Sequence, residues 1–339
     1  ALVDRATDDV VARQVEAGID VVSDGELGKL GFTSYVIDRL SGLEKFRELW
    51  ALPDLDDLPE LFEQQYGGEV GAHLDRARCV GQVAYVGQGA LAEDLRRFRA
   101  AVDRAGARDA FVPAVSPGLA TTMMPNTYYP ADEYLGVMAD VLAVEYRMIV
   151  EAGFLLQLDC PDIPMMASMM PWEAAEPLVV RHIEAVNRAT AGLPPERMRM
   201  HLCWGNWEGP HRYDVPLRQV LPAALRARPA AISFEAANAR HAHEWRLFEE
   251  LEVPDDKILM PGVIDTKCNV LEHPELVAER IERFARLVGR ERVIPGTDCG
   301  FGTFAGFGVV HPKVAWMKLA ALGEGARLAS KRLWSGSEA

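Results

Sequence analysis

Residues able to do metal chemistry gather at the ends of three short apolar runs. The first, Met198-Arg-Met-His-Leu-Cys-Trp204, reads as a β-strand that finishes in His201-Leu202-Cys203. On a strand, residues i and i+2 project to the same side, so an imidazole and a thiolate can converge on one ion. The second run, Ala230 to Phe234, leads into Glu235, and the third, Arg292 to Thr297, leads into Asp298-Cys299. One nitrogen, two sulfurs and one carboxylate oxygen suit a borderline-soft ion, with Zn2+ the first choice. A lone His-x-Cys on an apolar strand is ordinarily core packing. With Glu235 and Cys299 at matching strand ends, a zinc site of His201, Cys203, Glu235 and Cys299 is the better reading. Three firm ligands and one exchangeable position would make such a site catalytic. Glu235, the hardest donor of the set, is the ligand expected to give way. A free alkyl thiol is only slightly ionised at neutral pH. Coordination would let it lose its proton while its sulfur stays nucleophilic. The expected chemistry is displacement by sulfur at an electrophilic carbon.

Such a site needs parallel strands whose ends share one face. The sequence supplies them by alternating helix-period and β-branched runs. Helices are expected over 8–17, 91–104, 132–152, 172–190, 216–228, 241–251, 274–287 and 312–330. Strands are expected over 19–23, 109–115, 154–158, 198–204, 231–234, 258–263 and 292–297. Seven strands, each followed by a polar or glycine-rich cluster, match an α/β fold of the (β/α)8 TIM-barrel type. A doubly wound open sheet is the rival, weakened because no Gly-rich dinucleotide or P-loop fingerprint follows any strand. The eighth barrel strand, first in order, is expected upstream of residue 1. An acidic Pro/Asp/Leu/Glu-rich passage over 42–78 reads as an insertion after the second barrel strand, and 80–86 as an extra strand. The whole chain, 1–339, is read as one domain.

The 339 residues carry a formal charge of −14, which argues against nucleic acid as a partner. The longest apolar runs fall well short of the ~18 residues of a membrane span, and no secretory signal is visible. Five cysteines in a chain of this length make no disulfide framework, so a reducing, cytoplasmic setting is expected. Homo-oligomer formation is left open.

The four ligand positions together resemble the catalytic domain of cobalamin-independent methionine synthases. That family is a barrel holding zinc by His-x-Cys, a later Glu at a strand end and a Cys in Asp-Cys-Gly. His201-Leu-Cys203, Glu235 in Ile-Ser-Phe-Glu, and Cys299 in Thr-Asp-Cys-Gly300 follow that order. Val22-Ser-Asp-Gly-Glu26 is similar to the family's strand ending in Gly-Glu, whose carboxylate holds the homocysteine amino group. Leu156-Gln-Leu-Asp159-Cys160-Pro161 resembles its Asp-Glu-Pro motif, where the Asp plays a similar part. Glu26 and Asp159 are therefore the substrate contacts the resemblance implies, although each could instead cap the element that follows it. The sequence departs from the pattern in three places. The Gly-Ser motif of strand one is absent, Cys160 replaces the Glu of Asp-Glu-Pro, and the long N-terminal half that helps to bind folate is not here.

The resemblance implies a zinc-dependent transferase acting on a small-molecule thiol, with methylation of homocysteine to methionine as the main expectation. The alkyl donor it implies is a methyl-folate, methylcobalamin or an epoxide. Core-only relatives include the epoxyalkane:coenzyme M transferases, so addition of a thiol to an epoxide is the alternative. A non-catalytic barrel with structural zinc, serving as an interaction protein, is a third reading. Around the site, the Trp204-Gly-Asn-Trp207 turn is either an aromatic wall for a flat donor or plain loop packing. Cys160 is read as a pocket wall, Cys79 and Cys268 as passive. His211, His241 and His243 follow strand ends and are candidates for proton handling. Met123-Met124 and the methionines of 165–170 are expected to line the barrel mouth as adaptable packing.

Overall fold

A computed structural model describes residues 2–46, 58–61, 76–303 and 308–335. Its strands are β1 (Val21–Val22), β2 (Leu43–Phe46), β3 (Arg76–Cys79), β4 (Asp109–Val115), β5 (Leu155–Asp159), β6 (Met198–Leu202), β7 (Ala231–Phe234), β8 (Ile258–Ile264) and β9 (Gly296–Thr297). Seven of them form one sheet in the order β1-β4-β5-β6-β7-β8-β9, with every pairing parallel. The seven expected strands are thus all present and neighbour one another in chain order. β6 and β7 are buried along their whole length, as strands covered on both faces must be.

Helices link the strands and pack as a layer against them. The helix Gln88–Ala105 buries Leu91, Leu95, Phe98 and Val102, a three-and-four spacing that makes one apolar stripe. Gly106, at φ +65°, closes it in the left-handed conformation a side chain resists. Helix Pro274–Val288 starts on a proline that has no N–H to lose, after a His273 cap. Its Phe284 meets Phe234 of β7 edge-on at 5.9 Å. No helix among the described residues is long and apolar enough to cross a membrane.

Register decides what reaches the site. Val115 pairs with Asp159, Asp159 with His201, and His201 with Ser233. Partners in a parallel sheet point to the same face about 4.8 Å apart, so this one row brings Asp159, His201 and Ser233 side by side.

Several boundaries differ from the expectation. The strand expected at 80–86 lies at Arg76–Cys79 instead, where it pairs antiparallel with β2. Residues 80–86 keep only a bridge between Tyr85 and Leu40. Alternating apolar residues in 80–86 gave the strand signal, but the backbone partner lies earlier. The segment 241–251 forms a 3₁₀ turn, Glu244–Glu249, and not an α-helix. The last strand shrinks to Gly296–Thr297, with Val293 only bridged to Leu259. Most of the 42–78 passage lies outside the described residues. A short helix, Pro117–Met123, was not expected; Ser116 caps it through its hydroxyl.

Candidate metal and thiol site

His201 is the last residue but one of β6, and Cys203 is the first residue beyond the strand. Their ligand atoms and the Cys299 sulfur all lie within 4.8 Å of one another. The two sulfurs are 3.5 Å apart, and one thiol donates to the other. That hydrogen bond pulls the Cys203 pKa down and pushes that of Cys299 well up. The Gly205 N–H adds a contact of 3.4 Å to Cys203 Sγ. Gly205 takes φ +106°, which favours glycine, and a Cβ there would stand 3.2 Å from Trp207. His201 Nδ1 is engaged by the Ser233 hydroxyl at 3.2 Å. A nitrogen and two sulfurs at this separation are a donor set that fits zinc.

Glu235 follows β7 and is fully buried. It stands at the edge of the cluster: Oε1 is 3.5 Å from Cys299 Sγ, but the carboxylate lies outside the group of three. The Trp204 N–H donates to Oε1 at 3.0 Å. Oε2 accepts from Asn238 Nδ2 at 2.8 Å and from Lys267 Nζ at 2.7 Å. Burial pushes the Glu235 pKa up, yet Lys267 and these donors outweigh it and hold it below the ordinary value. Oε2 is therefore spent on the protein, and Oε1 is the oxygen turned toward the sulfurs.

Two residues that hold this geometry were not singled out from the sequence. Asp298, fully buried, accepts the N–H groups of Ala236, Ala237 and Asn238 at 2.8 to 2.9 Å, and so stitches the Cys299 turn to the Glu235 turn. Gly262 makes room for it, since a Cβ there would fall 2.0 Å from Asp298 Oδ1. Lys267 is the buried counter-charge of Glu235. It also lines a cleft with Asn206, Trp207, Thr266, Phe301 and Thr303. Spacing could not reveal either role, because each bond spans more than thirty residues.

Asp159 is at the end of β5, beside His201 in the row. Burial pushes its pKa up to about 6; His201 pulls it down and Glu26 pushes it up. Glu26 and Asp159 thus share one electrostatic environment. Glu26 stands at φ +53°, and its Oε1 is 2.9 Å from Lys29 Nζ. Trp204 is only 2% exposed and gives its indole N–H to the Val215 carbonyl, so its ring packs the loop while its backbone serves Glu235. Trp207, with Phe301, is an aromatic that lines the cleft. Cys160 is buried outside the cluster, near the Leu158 carbonyl. Met123 and Met124 line a second cleft with Val36 and Leu119.

No family model matches the chain. A 2-hydroxypropyl-CoM lyase of Xanthobacter autotrophicus is 28% identical over 182 residues, which is 46% of this chain and 47% of that protein. The chain thus spans about half the length of that relative. A methionine synthase of Thermococcus kodakarensis is 23% identical over 335 residues, 96% of this chain and 82% of that protein. In fold, the chain matches the solved structure of a B12-independent methionine synthase from Shewanella sp. in complex with selenomethionine, with a TM-score of 0.73. Identity there is 21%, over 98% of this chain and 89% of that one. The resemblance read from the sequence is therefore met: the chain is similar in sequence to a methionine synthase over nearly its whole length and to a CoM lyase over about half of it, and in fold to the B12-independent methionine synthases.

Proposed function

We propose that the protein is a zinc-dependent thiol alkyltransferase whose preferred acceptor is homocysteine. The observation that carries this is the convergence of His201, Cys203 and Cys299 to within 4.8 Å, from the ends of β6 and β9. Zinc held there by these three, with Glu235 beside them, would act as a Lewis acid that keeps a substrate thiol ionised and nucleophilic. The chain's own groups do the rest. Ser233 orients His201 through Nδ1. Lys267 and Asn238 hold Glu235 by one oxygen, so that the other can approach or leave the cluster. Glu26 and Asp159 are a pair of acids close enough to influence one another, suited to an amino group. Trp204 enters through its N–H, and Trp207 is an aromatic wall of the cleft. We read the scaffold as a single (β/α)8 barrel with an insertion over 42–78.

A second reading, addition of a sulfonate-bearing thiol such as coenzyme M to an epoxide, is favoured by Lys29 and Lys267. Each places an ammonium beside a proposed site carboxylate. The likeness to a CoM lyase supports the same reading. Methionine synthase likeness over nearly the whole chain supports the first.

Zinc analysis combined with X-ray absorption tests the common core. One zinc per chain is expected, and added thiol should replace an oxygen ligand with sulfur. A spectrum that thiol leaves unchanged would rule out both enzyme readings and favour a structural ion.

A further inference from the structure

Four buried ionisable groups form an unbroken chain beside the cluster. His211 Nδ1 meets Asp214 Oδ2 at 3.0 Å, and His241 Nε2 meets the same oxygen at 3.1 Å. His241 Nδ1 continues to Glu244 Oε2 at 2.8 Å. His211 Nε2 faces the Trp207 carbonyl at 3.0 Å. Every partner of these two rings is a carboxylate or carbonyl oxygen, so all four ring nitrogens are engaged by the protein. Side-chain exposure is 5% for His211, 6% for Asp214, 2% for His241 and 9% for Glu244.

The chain clamps one turn. Glu244 Oε1 accepts the Leu217 N–H at 2.7 Å, and Val215 takes the Trp204 indole N–H. The His241 ring lies 4.5 Å from the Trp204 ring, and the His211 ring 5.0 Å from that of Trp207. His211 itself sits at φ +50°, a left-handed conformation that a side chain adopts only when its surroundings hold it there. The same turn begins with the Trp204 N–H on Glu235 Oε1 and the Gly205 N–H on Cys203 Sγ.

We infer that His211, Asp214, His241 and Glu244 are positioning residues for the metal cluster, fixing the 204–217 turn whose N–H groups orient Cys203 and Glu235. Asp214 is the pivot, because one of its oxygens serves both imidazoles. The inference rests on the cluster being a metal site. It adds a role for groups that touch neither the proposed ligands nor the proposed substrate contacts by hydrogen bond.

Asp214→Ala removes the pivot; Asp214→Asn keeps its size and an acceptor oxygen. Both are tested with the purified full chain, with folding followed by circular dichroism. Zinc Kd is read by chelator competition, and site geometry by the cobalt(II) spectrum. Removing a group that orients ligands should raise the Kd of folded Asp214→Ala by about tenfold or more and alter the cobalt bands. Asp214→Asn should recover much of both. If Asp214→Ala does not fold, Asp214→Asn decides alone: a Kd raised about threefold or more, with altered cobalt bands, supports the inference. Wild-type Kd and spectrum in every folded variant overturns it. A wild type that binds neither zinc nor cobalt would overturn the metal site as well, which separates the two failures.

Discussion

Lys267 Nζ lies 2.7 Å from Glu235 Oε2, with the lysine 8% exposed and the glutamate fully buried. Burial alone would lower the lysine pKa and raise that of the glutamate; their mutual attraction reverses both. Removing one partner of such a pair strands a buried charge. Lys267→Met is expected to cost about 3 to 5 kcal/mol of unfolding free energy. In a Glu235→Gln background the same change should cost far less, because no carboxylate is left uncompensated. Urea unfolding of the four proteins completes the cycle, and additive costs would show that the pair is not coupled.

The thiols should dominate metal retention. Cys203→Ser and Cys299→Ser are each expected to lose most bound zinc and all alkyl transfer, since thiolates supply much of the affinity. Glu235→Gln should be milder, keeping much of the metal, because the carboxylate stands at the edge of the cluster. Atomic emission on the purified proteins reads the stoichiometry directly. Full zinc in both serine variants would mean that the ligands are elsewhere.

Strand ends were legible because a buried parallel strand must be apolar throughout and must stop where polar residues begin. Ala231–Phe234 and Asp109–Val115 fall where the pattern ended them. His201 and Cys203 were legible for the same reason, two chemically distinctive side chains on one strand end. What spacing hides is contact between elements. The Lys267–Glu235 pair, the three N–H groups on Asp298 and the His241–Asp214 contact each join turns that follow different strands. The ninth strand was overestimated for a related reason. Val293 and Ile294 are apolar enough for a strand, but only Gly296 and Thr297 pair with β8 in the ladder.

His241 should make stability depend on alkaline pH. Burial would lower its pKa, but hydrogen bonds to Asp214 and Glu244 raise it to about 9 from the ordinary 6.5. A raised value stabilises the protonated fold. Its contribution is complete below pH 6.5 and is lost as pH climbs from there through about 9. The most it can supply is about 3 kcal/mol. Wild type should therefore lose unfolding free energy between pH 6.5 and 9.5, and His241→Gln, less stable at pH 6.5, should lose much less over that range. Parallel pH profiles for the two proteins would remove His241 as the source.

Glu26 and Asp159 separate the two candidate thiols. The Asp159 pKa is raised first by burial and then further by Glu26, the mark of two acids sharing a site. An ammonium between them would relieve that repulsion, as homocysteine offers. Mercaptoethanesulfonate carries no ammonium; its sulfonate would be repelled by both acids and drawn to Lys29, which already pairs with Glu26 at 2.9 Å. Leaving one side of such a charge pair unmade costs ~2–5 kcal/mol in a closed pocket. Glu26→Gln should thus raise the homocysteine KM by at least about tenfold, roughly 1.4 kcal/mol, with zinc content unchanged. The KM for mercaptoethanesulfonate should stay level or fall, since Lys29 is freed. A wild type that prefers the sulfonate, or a variant indifferent to homocysteine, would sink the homocysteine reading and leave the thiol chemistry of His201, Cys203 and Cys299 standing.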